Sequence, residues 1–185
     1  MKRLLLTSLS AVLLIPVATA VAGLPVPKDP QIDPPLSLAG IEVGMKLKKA
    51  DKQWGEKGKC SSEESGFEGC IYGKIGKNGN AKRGYAEIDG TNGKVFFVVI
   101  QAPTTKGGTK AKFKGPLMEM ISMEGIGLGS TMKEVKAAYP DVKSMPRHIG
   151  YKLKGPGKTQ MNFIGYGSKG KRKVTSILLY KTIPE

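Results

Sequence analysis

The apolar positions of the chain keep a helical period in two places and alternate elsewhere. Leu47, Ala50 and Trp54 recur at spacings of three and four, and so do Met132, Val135 and Tyr139, so each set marks one face of a short helix. A glycine-rich phrase precedes each stripe: Gly40-Ile41-Glu42-Val43-Gly44 before the first, Gly125-Ile126-Gly127-Leu128-Gly129 before the second. Gly55 and Pro140 stop them. Thr131, with Glu134 three residues on, has the spacing of a capping box at the second helix start. After each helix the pattern alternates, predicting strands at 70–76, 83–89 and 95–101, then at 149–154, 160–167 and 173–181. Gly90-Thr91-Asn92-Gly93 contains an Asn-Gly pair suited to closing a hairpin. A phrase of hinge, helix and strands used twice predicts an α+β fold of two tandem repeats, each a short helical segment packed on an antiparallel β-sheet. The expected boundaries are 36–102 for the first repeat and 117–185 for the second.

The segments outside the repeats read differently. Lys2 and Arg3, an apolar run at 4–17 and the small-residue site Ala18-Thr19-Ala20 form the three parts of a secretory signal peptide, expected to span 1–22. That run is too short to span a bilayer comfortably, and no later segment is apolar enough to try. Export follows as an expectation, to an extracellular or periplasmic location, and the absence of a cysteine near the cleavage point argues against a cysteine-linked lipid anchor. Pro25, Pro27, Pro30, Pro34 and Pro35 exclude helix from a leader at 23–35 and favour an extended tether. A linker is expected at 103–116, where Lys106, Gly107, Gly108, Lys110, Lys112 and Lys114 cluster.

In an oxidising compartment the pair Cys60 and Cys70 is expected to form a structural disulfide, closing a polar loop that has almost nothing to bury. A ring of this size contributes roughly 2–3 kcal/mol on the chain-entropy model.

Catalysis and cofactors find little support. His148 stands beside Arg147 with no serine, cysteine or carboxylate pair at a partnering spacing, and Glu63, Glu64 and Glu68 lack the aspartate and glycine spacing of a calcium loop and any histidine for zinc. The glycine phrases lack the lysine-serine ending of a phosphate cradle. No enzyme activity, cofactor or metal is expected.

The formal charge of +15 falls to +13 if Lys2 and Arg3 are removed. Arginine supplies only Arg3, Arg83, Arg147 and Arg172 of the 30 positive side chains, a bias towards diffuse attraction over bidentate recognition of phosphate or base edges. Specific nucleic-acid binding is not expected. Two readings of the charge stand side by side: steering towards anionic envelope polymers or acidic protein surfaces, or a self-repelling soluble surface.

Alternation also assigns faces. With Ile71, Ile75, Ala86 and Ile88 against the helices, Tyr72, Lys74, Arg83, Tyr85 and Glu87 face outward in the first half. In the second, Leu153, Met161 and Phe163 face inward, leaving Lys152, Lys154, Asn162 and Tyr166 outward. These outward residues are the expected partner-binding set, with packing of Tyr72, Tyr85 and Tyr166 on one another as the competing reading. The strands opening at Val95 and Val174 are apolar on both faces, so their orientation stays open.

The glycine phrase before a short helix, the cysteine loop leading into antiparallel strands and the double use of the unit resemble the secreted β-lactamase inhibitory proteins of actinobacteria. The single unit is similar to the small lipoproteins of the outer-membrane β-barrel assembly machine. The resemblance covers nearly all of 36–185 and implies a helix-on-sheet fold, a concave partner-gripping sheet, and a match of Cys60 and Cys70 to the first-repeat disulfide of the inhibitor. Where the inhibitor presents an acidic hairpin loop, this chain has Lys77-Asn78-Gly79-Asn80-Ala81-Lys82-Arg83, without a carboxylate. The second repeat has no cysteines. The function expected is a secreted, non-catalytic protein-binding module, an inhibitor of an extracellular enzyme being one form of it. The alternative is a basic protein held to anionic cell-surface polymers.

Overall fold

The structure is a computed structural model that describes residues 27–54, 58–73, 81, 84–105, 110–145, 150–167 and 171–182. The chain begins with β1 (Gln31–Asp33), β2 (Ser37–Leu38) and β3 (Ile41–Glu42), followed by α1 (Leu47–Gln53) and the strands β4 (Lys59–Ser62), β5 (Phe67–Gly73), β6 (Tyr85–Thr91) and β7 (Lys94–Gln101). A short hairpin, β8 (Thr104–Thr105) and β9 (Lys110–Ala111), leads through a 3-10 turn to β10 (Ile121–Ser122) and α2 (Met132–Ala138). The chain closes with β11 (Lys143–Ser144), β12 (Gly150–Lys154), β13 (Thr159–Tyr166) and β14 (Lys173–Lys181). The fold is α+β.

Eight strands form one antiparallel sheet in the order β11-β12-β13-β14-β7-β6-β5-β4. Each half of the chain contributes four neighbouring strands. The seam is the β7–β14 pair, in register from Ser176 opposite Gln101 to Tyr180 opposite Phe97. Both helices pack on one face of this sheet through the predicted stripes: Leu47, Ala50 and Trp54 from α1, Val135 and Tyr139 from α2, over Ala86, Ile88, Val98, Ile100, Met161, Phe163, Ile177 and Leu179. Tyr139 stacks on Phe163 with ring centroids 5.7 Å apart. One hydrophobic core serves both halves.

The two helices enter the sheet in the same way. Gly44 N–H donates to Val95 O (2.7 Å) and Val95 N–H to Met45 O (2.8 Å), while Gly129 N–H donates to Val174 O (2.8 Å) and Val174 N–H to Ser130 O (2.7 Å). Gly44 and Gly129 have φ of 89° and 93°, a left-handed turn that other residues adopt only under strain. The helix starts differ. Thr131 Oγ1 accepts from Glu134 N and Glu134 Oε2 accepts from Thr131 N at 2.6 Å, completing the expected capping box, whereas Lys46 offers α1 no side-chain cap. A cap of this kind stabilises a helix by about 1 kcal/mol.

Three sequence readings need correction. The region around Cys60, read as a loop, contains β4, paired residue for residue with β5 so that Cys60 lies opposite Cys70, and the two are disulfide-bonded. Its four residues are all exposed, which leaves no apolar alternation to reveal a strand. The proline-rich leader does not stay a tether: Gln31–Asp33 pairs in parallel with β10 and in antiparallel with β2, and Ile32 is buried. The linker contains the β8–β9 hairpin, with Pro103 and Thr104 buried. In both segments a few backbone hydrogen bonds and two or so buried residues suffice, a signal too sparse for periodicity to carry.

Candidate binding face

Side chains alternate across a strand, so a sheet with both helices on one side presents the other set of residues on its second face. On β6 the alternation is clean. Ala86 and Ile88 are fully buried under the helices, while Tyr85, Glu87 and Asp89 are part-exposed. Cross-strand register then assembles the second face in rows. One runs Ile71, Glu87, Val99, Leu178, Asn162, Lys152 from β5 to β12. The next runs Gly69, Asp89, Phe97, Tyr180, Gln160, Lys154.

The middle of this face is apolar and straddles the seam, with Val99 and Phe97 from β7 beside Leu178 and Tyr180 from β14. Tyr180 is held firmly. Its hydroxyl accepts from Gln160 Nε2 and from Asn162 Nδ2 (3.0 Å), and Gln160 Nε2 also donates to Asn162 Oδ1 (2.8 Å). The phenol oxygen thus serves as the acceptor for both amides. A rigid aromatic side chain with a polar tip is the residue type that dominates protein interfaces.

On one side of the apolar middle lies an acidic patch. Asp89 leans over Gly69, where an added Cβ would meet its Oδ1 at 2.9 Å, so the absence of a side chain at 69 is what seats the carboxylate. That Oδ1 is buried without a hydrogen-bond partner among the described residues. Burial, and then the charge of Glu87, push the Asp89 carboxyl up to about 6. Burial likewise raises Glu87, and it raises Tyr85 together with the two neighbouring carboxylates. Raised folded-state affinity for a proton means that Asp89 favours the fold fully below its unfolded value of 3.8, and that this contribution disappears as pH rises through about 6. At full value such a shift corresponds to about 3 kcal/mol; partial solvent contact reduces it to ~1 kcal/mol. Asp89→Asn is therefore expected to gain about 1 kcal/mol on the unchanged protein between pH 4 and pH 7, measured by denaturant unfolding at each pH. A stability difference that does not change with pH overturns this account of Asp89.

The structure sorts the predicted partner residues. Tyr85 and Glu87 lie on the open face, as do Lys152, Lys154 and Asn162, the last nearly buried because it braces Tyr180. Tyr166 is 54 % exposed at the far end of β13. Tyr72 is a correction: it is 1 % exposed on the helix side, its ring 5.1 Å from Trp54 and its hydroxyl donating to Asp51 Oδ1 at 2.6 Å. Ile71 takes the open face instead. A hydroxyl with a carboxylate partner on α1 can be buried without penalty, so the tyrosine goes inside while the isoleucine beside it goes out. Burial, followed by the hydrogen bond to Asp51, drives the Tyr72 phenol far above its usual range. Tyr72, Tyr85 and Tyr166 do not form one cluster, since Tyr72 and Tyr85 occupy opposite faces and β7 and β14 separate Tyr85 from Tyr166. Lys74, Arg83, His148, Lys106 and the loop at 77–80 lie outside the described residues. The sequence reading missed Phe97, Val99, Leu178 and Tyr180, because strands apolar on both faces give no sign of which set turns inward; it also left out Asp89, although the alternation of β6 places it in step with Tyr85 and Glu87.

A second surface feature lies on the helix side, where Met132, Lys133, Lys136, Ala137, Tyr151 and Arg172 line an open groove of about 500 Å³. Lys136 already donates to Pro140 O at 2.6 Å.

No protein-family model and no curated protein matches the chain. Two solved structures are similar to it: an extracellular protein containing an SCP domain from Bacillus anthracis str. Ames (13 % identity, TM-score 0.41), and a cysteine-rich secretory protein from Staphylococcus aureus subsp. aureus Mu50 (11 % identity, TM-score 0.41). The similarity covers 81 % and 76 % of this chain, and 47 % and 44 % of those chains. The chain thus spans less than half the length of either.

Proposed function

We propose that the protein is exported and acts without catalysis or cofactor, binding another protein through the open face of its sheet. The observation that carries this reading is the apolar middle at the seam: Phe97, Val99, Leu178 and Tyr180 come together on a face that neither helix covers, with Tyr180 braced by two amides. Preorganised apolar and aromatic groups surrounded by polar ones are the usual energetic centre of an interface. Export is supported by the signal-like start and by the Cys60–Cys70 disulfide, a bond that persists in oxidising compartments.

We further infer that the sheet arose from a duplicated unit. The matched hydrogen bonds at Gly44 and Gly129 and the four-plus-four strand order support that origin. It is in keeping with the resemblance to the β-lactamase inhibitory proteins and the barrel-assembly lipoproteins. Inhibition of an extracellular enzyme is one form the binding could take.

The alternative, retention on anionic envelope polymers, draws on the formal charge of +15 and on the cations Lys133 and Arg172 around the helix-side groove. Capture from the secreted proteins of the host at physiological salt distinguishes the two. A partner of the open face is expected to be captured by the unchanged protein and reduced at least tenfold by Leu178→Asp, roughly the effect of losing a central anchor. Capture that ignores Leu178→Asp and fades as the Debye length drops below about 8 Å favours polymer attachment instead.

A further inference from the structure

The open face is not uniformly charged, and its polarity specifies what it can hold. The molecule carries 30 cationic side chains against 15 carboxylates, yet the side chains beside the apolar middle on β6 are both acidic, Glu87 and Asp89. Neither has an ion-pair partner among the described residues, and one Asp89 oxygen is buried with no hydrogen bond. Across the apolar middle in the same two rows stand Lys152 and Lys154, opposite Asn162 and Gln160, with Lys143 beyond Lys152; on the acidic side the first row closes, beyond Ile71, on the edge cation Lys59. Four strand steps, from β6 to β12, separate the acidic pair from the lysine pair, about 19 Å at the usual spacing between strands. A surface entirely of one sign would select any oppositely charged partner, whereas two opposite patches flanking an apolar strip select one orientation of one pattern.

We propose that the partner is a folded protein whose docking surface carries an apolar ridge with a lysine or arginine on one side and carboxylates on the other, about 19 Å apart. The cation sits over Glu87 and the part-exposed side of Asp89 and supplies the opposite charge that neither has among the described residues; the carboxylates meet Lys152 and Lys154; the ridge lies on Phe97, Leu178 and Tyr180, with Val99 buried between them. An unpaired, partly desolvated carboxylate is a burden on the free protein, and a partner's cation relieves it on docking. A polyanion fits the lysine end and is repelled by the acidic end, which is why the pattern favours a protein over a polymer. The inference rests on the open face being the binding surface.

A displayed library of a three-helix scaffold with one randomised helix face, selected on the full-length protein and counter-selected on Leu178→Asp, tests it. The expected binders carry Arg or Lys near one end of the helix and Asp or Glu near the other. They lose at least tenfold in affinity on Glu87→Gln/Asp89→Asn and on Lys152→Glu/Lys154→Glu, and a binder with its acidic end changed to basic regains affinity for the second variant. Thermal unfolding of the first variant should match or exceed that of the unchanged protein, which separates loss of binding from loss of fold. Binders that are acidic throughout, or that depend on Leu178 but not on the acidic pair, overturn the polarity while leaving the open face as the binding surface. A selection yielding no binder sensitive to Leu178→Asp overturns the polarity as well. The open-face reading itself fails separately, when the natural capture is indifferent to Leu178→Asp.

Discussion

Expressed as separate chains, residues 36–102 and 117–185 are expected to give no cooperative unfolding transition, and to recover one when mixed. Cutting the chain there opens the seam between β7 and β14, where Val98 and Ile100 meet Leu179 and Ile177 in the core. Each of these side chains stabilises the fold by about 2 kcal/mol when buried, so the four together approach the whole stability of a typical domain, about 5–15 kcal/mol. Both fragments also lack β1, which pairs with β2 of the first half and with β10 of the second. Two bare, apolar strand edges then invite aggregation. Calorimetry of each half and of the mixture decides the matter: two halves that each unfold cooperatively at the temperature of the whole are independent domains, and the shared-core account is wrong.

Trp54→Ala is expected to destabilise the protein by about 3–5 kcal/mol, the range for emptying a large aromatic site. Trp54 is fully buried at the end of α1 and packs on Tyr72, which in turn is tied to Asp51 of the same helix. Removing it leaves a cavity beneath the helix and loosens the ring that carries the buried hydroxyl. Trp54→Phe should be much milder, below about 1.5 kcal/mol, because it keeps an aromatic contact and also removes an indole N–H that is buried without a hydrogen-bond partner among the described residues. Denaturant titration of the three proteins measures both differences. Equal losses for alanine and phenylalanine would mean that Trp54 Nε1 has a partner the structure does not show.

The open face of the sheet was only partly legible before folding. Tyr85, Glu87, Lys152 and Lys154 could be placed because their strands alternate sharply between polar and apolar residues. Tyr72 could not. A tyrosine beside Ile71 reads as the more polar of the two and is assigned outward, and the carboxylate that draws it inward, Asp51, comes from a helix 21 residues away. Phe97, Val99, Leu178 and Tyr180 were illegible for the opposite reason, since β7 and β14 are apolar on both sides. Their hydrophobicity records that these strands are central in the sheet, not which set of side chains meets the helices.

Local chemistry was therefore enough for whatever is decided within a few residues: the two helices with their stripes, the capping box at Thr131, most of the strands, and the pairing of two nearby cysteines. Short-range sterics and hydrogen bonding act there without regard to the rest of the chain. The tertiary structure decided what depends on distant partners. It joined the two sets of strands at β7 and β14, drew Gln31–Asp33 into a second small sheet, turned Tyr72 inward and Ile71 outward, and left Asp89 over Gly69 with an acidic neighbour. Each of these outcomes is a choice between two faces or two edges of nearly equal local energy, and long-range packing makes it.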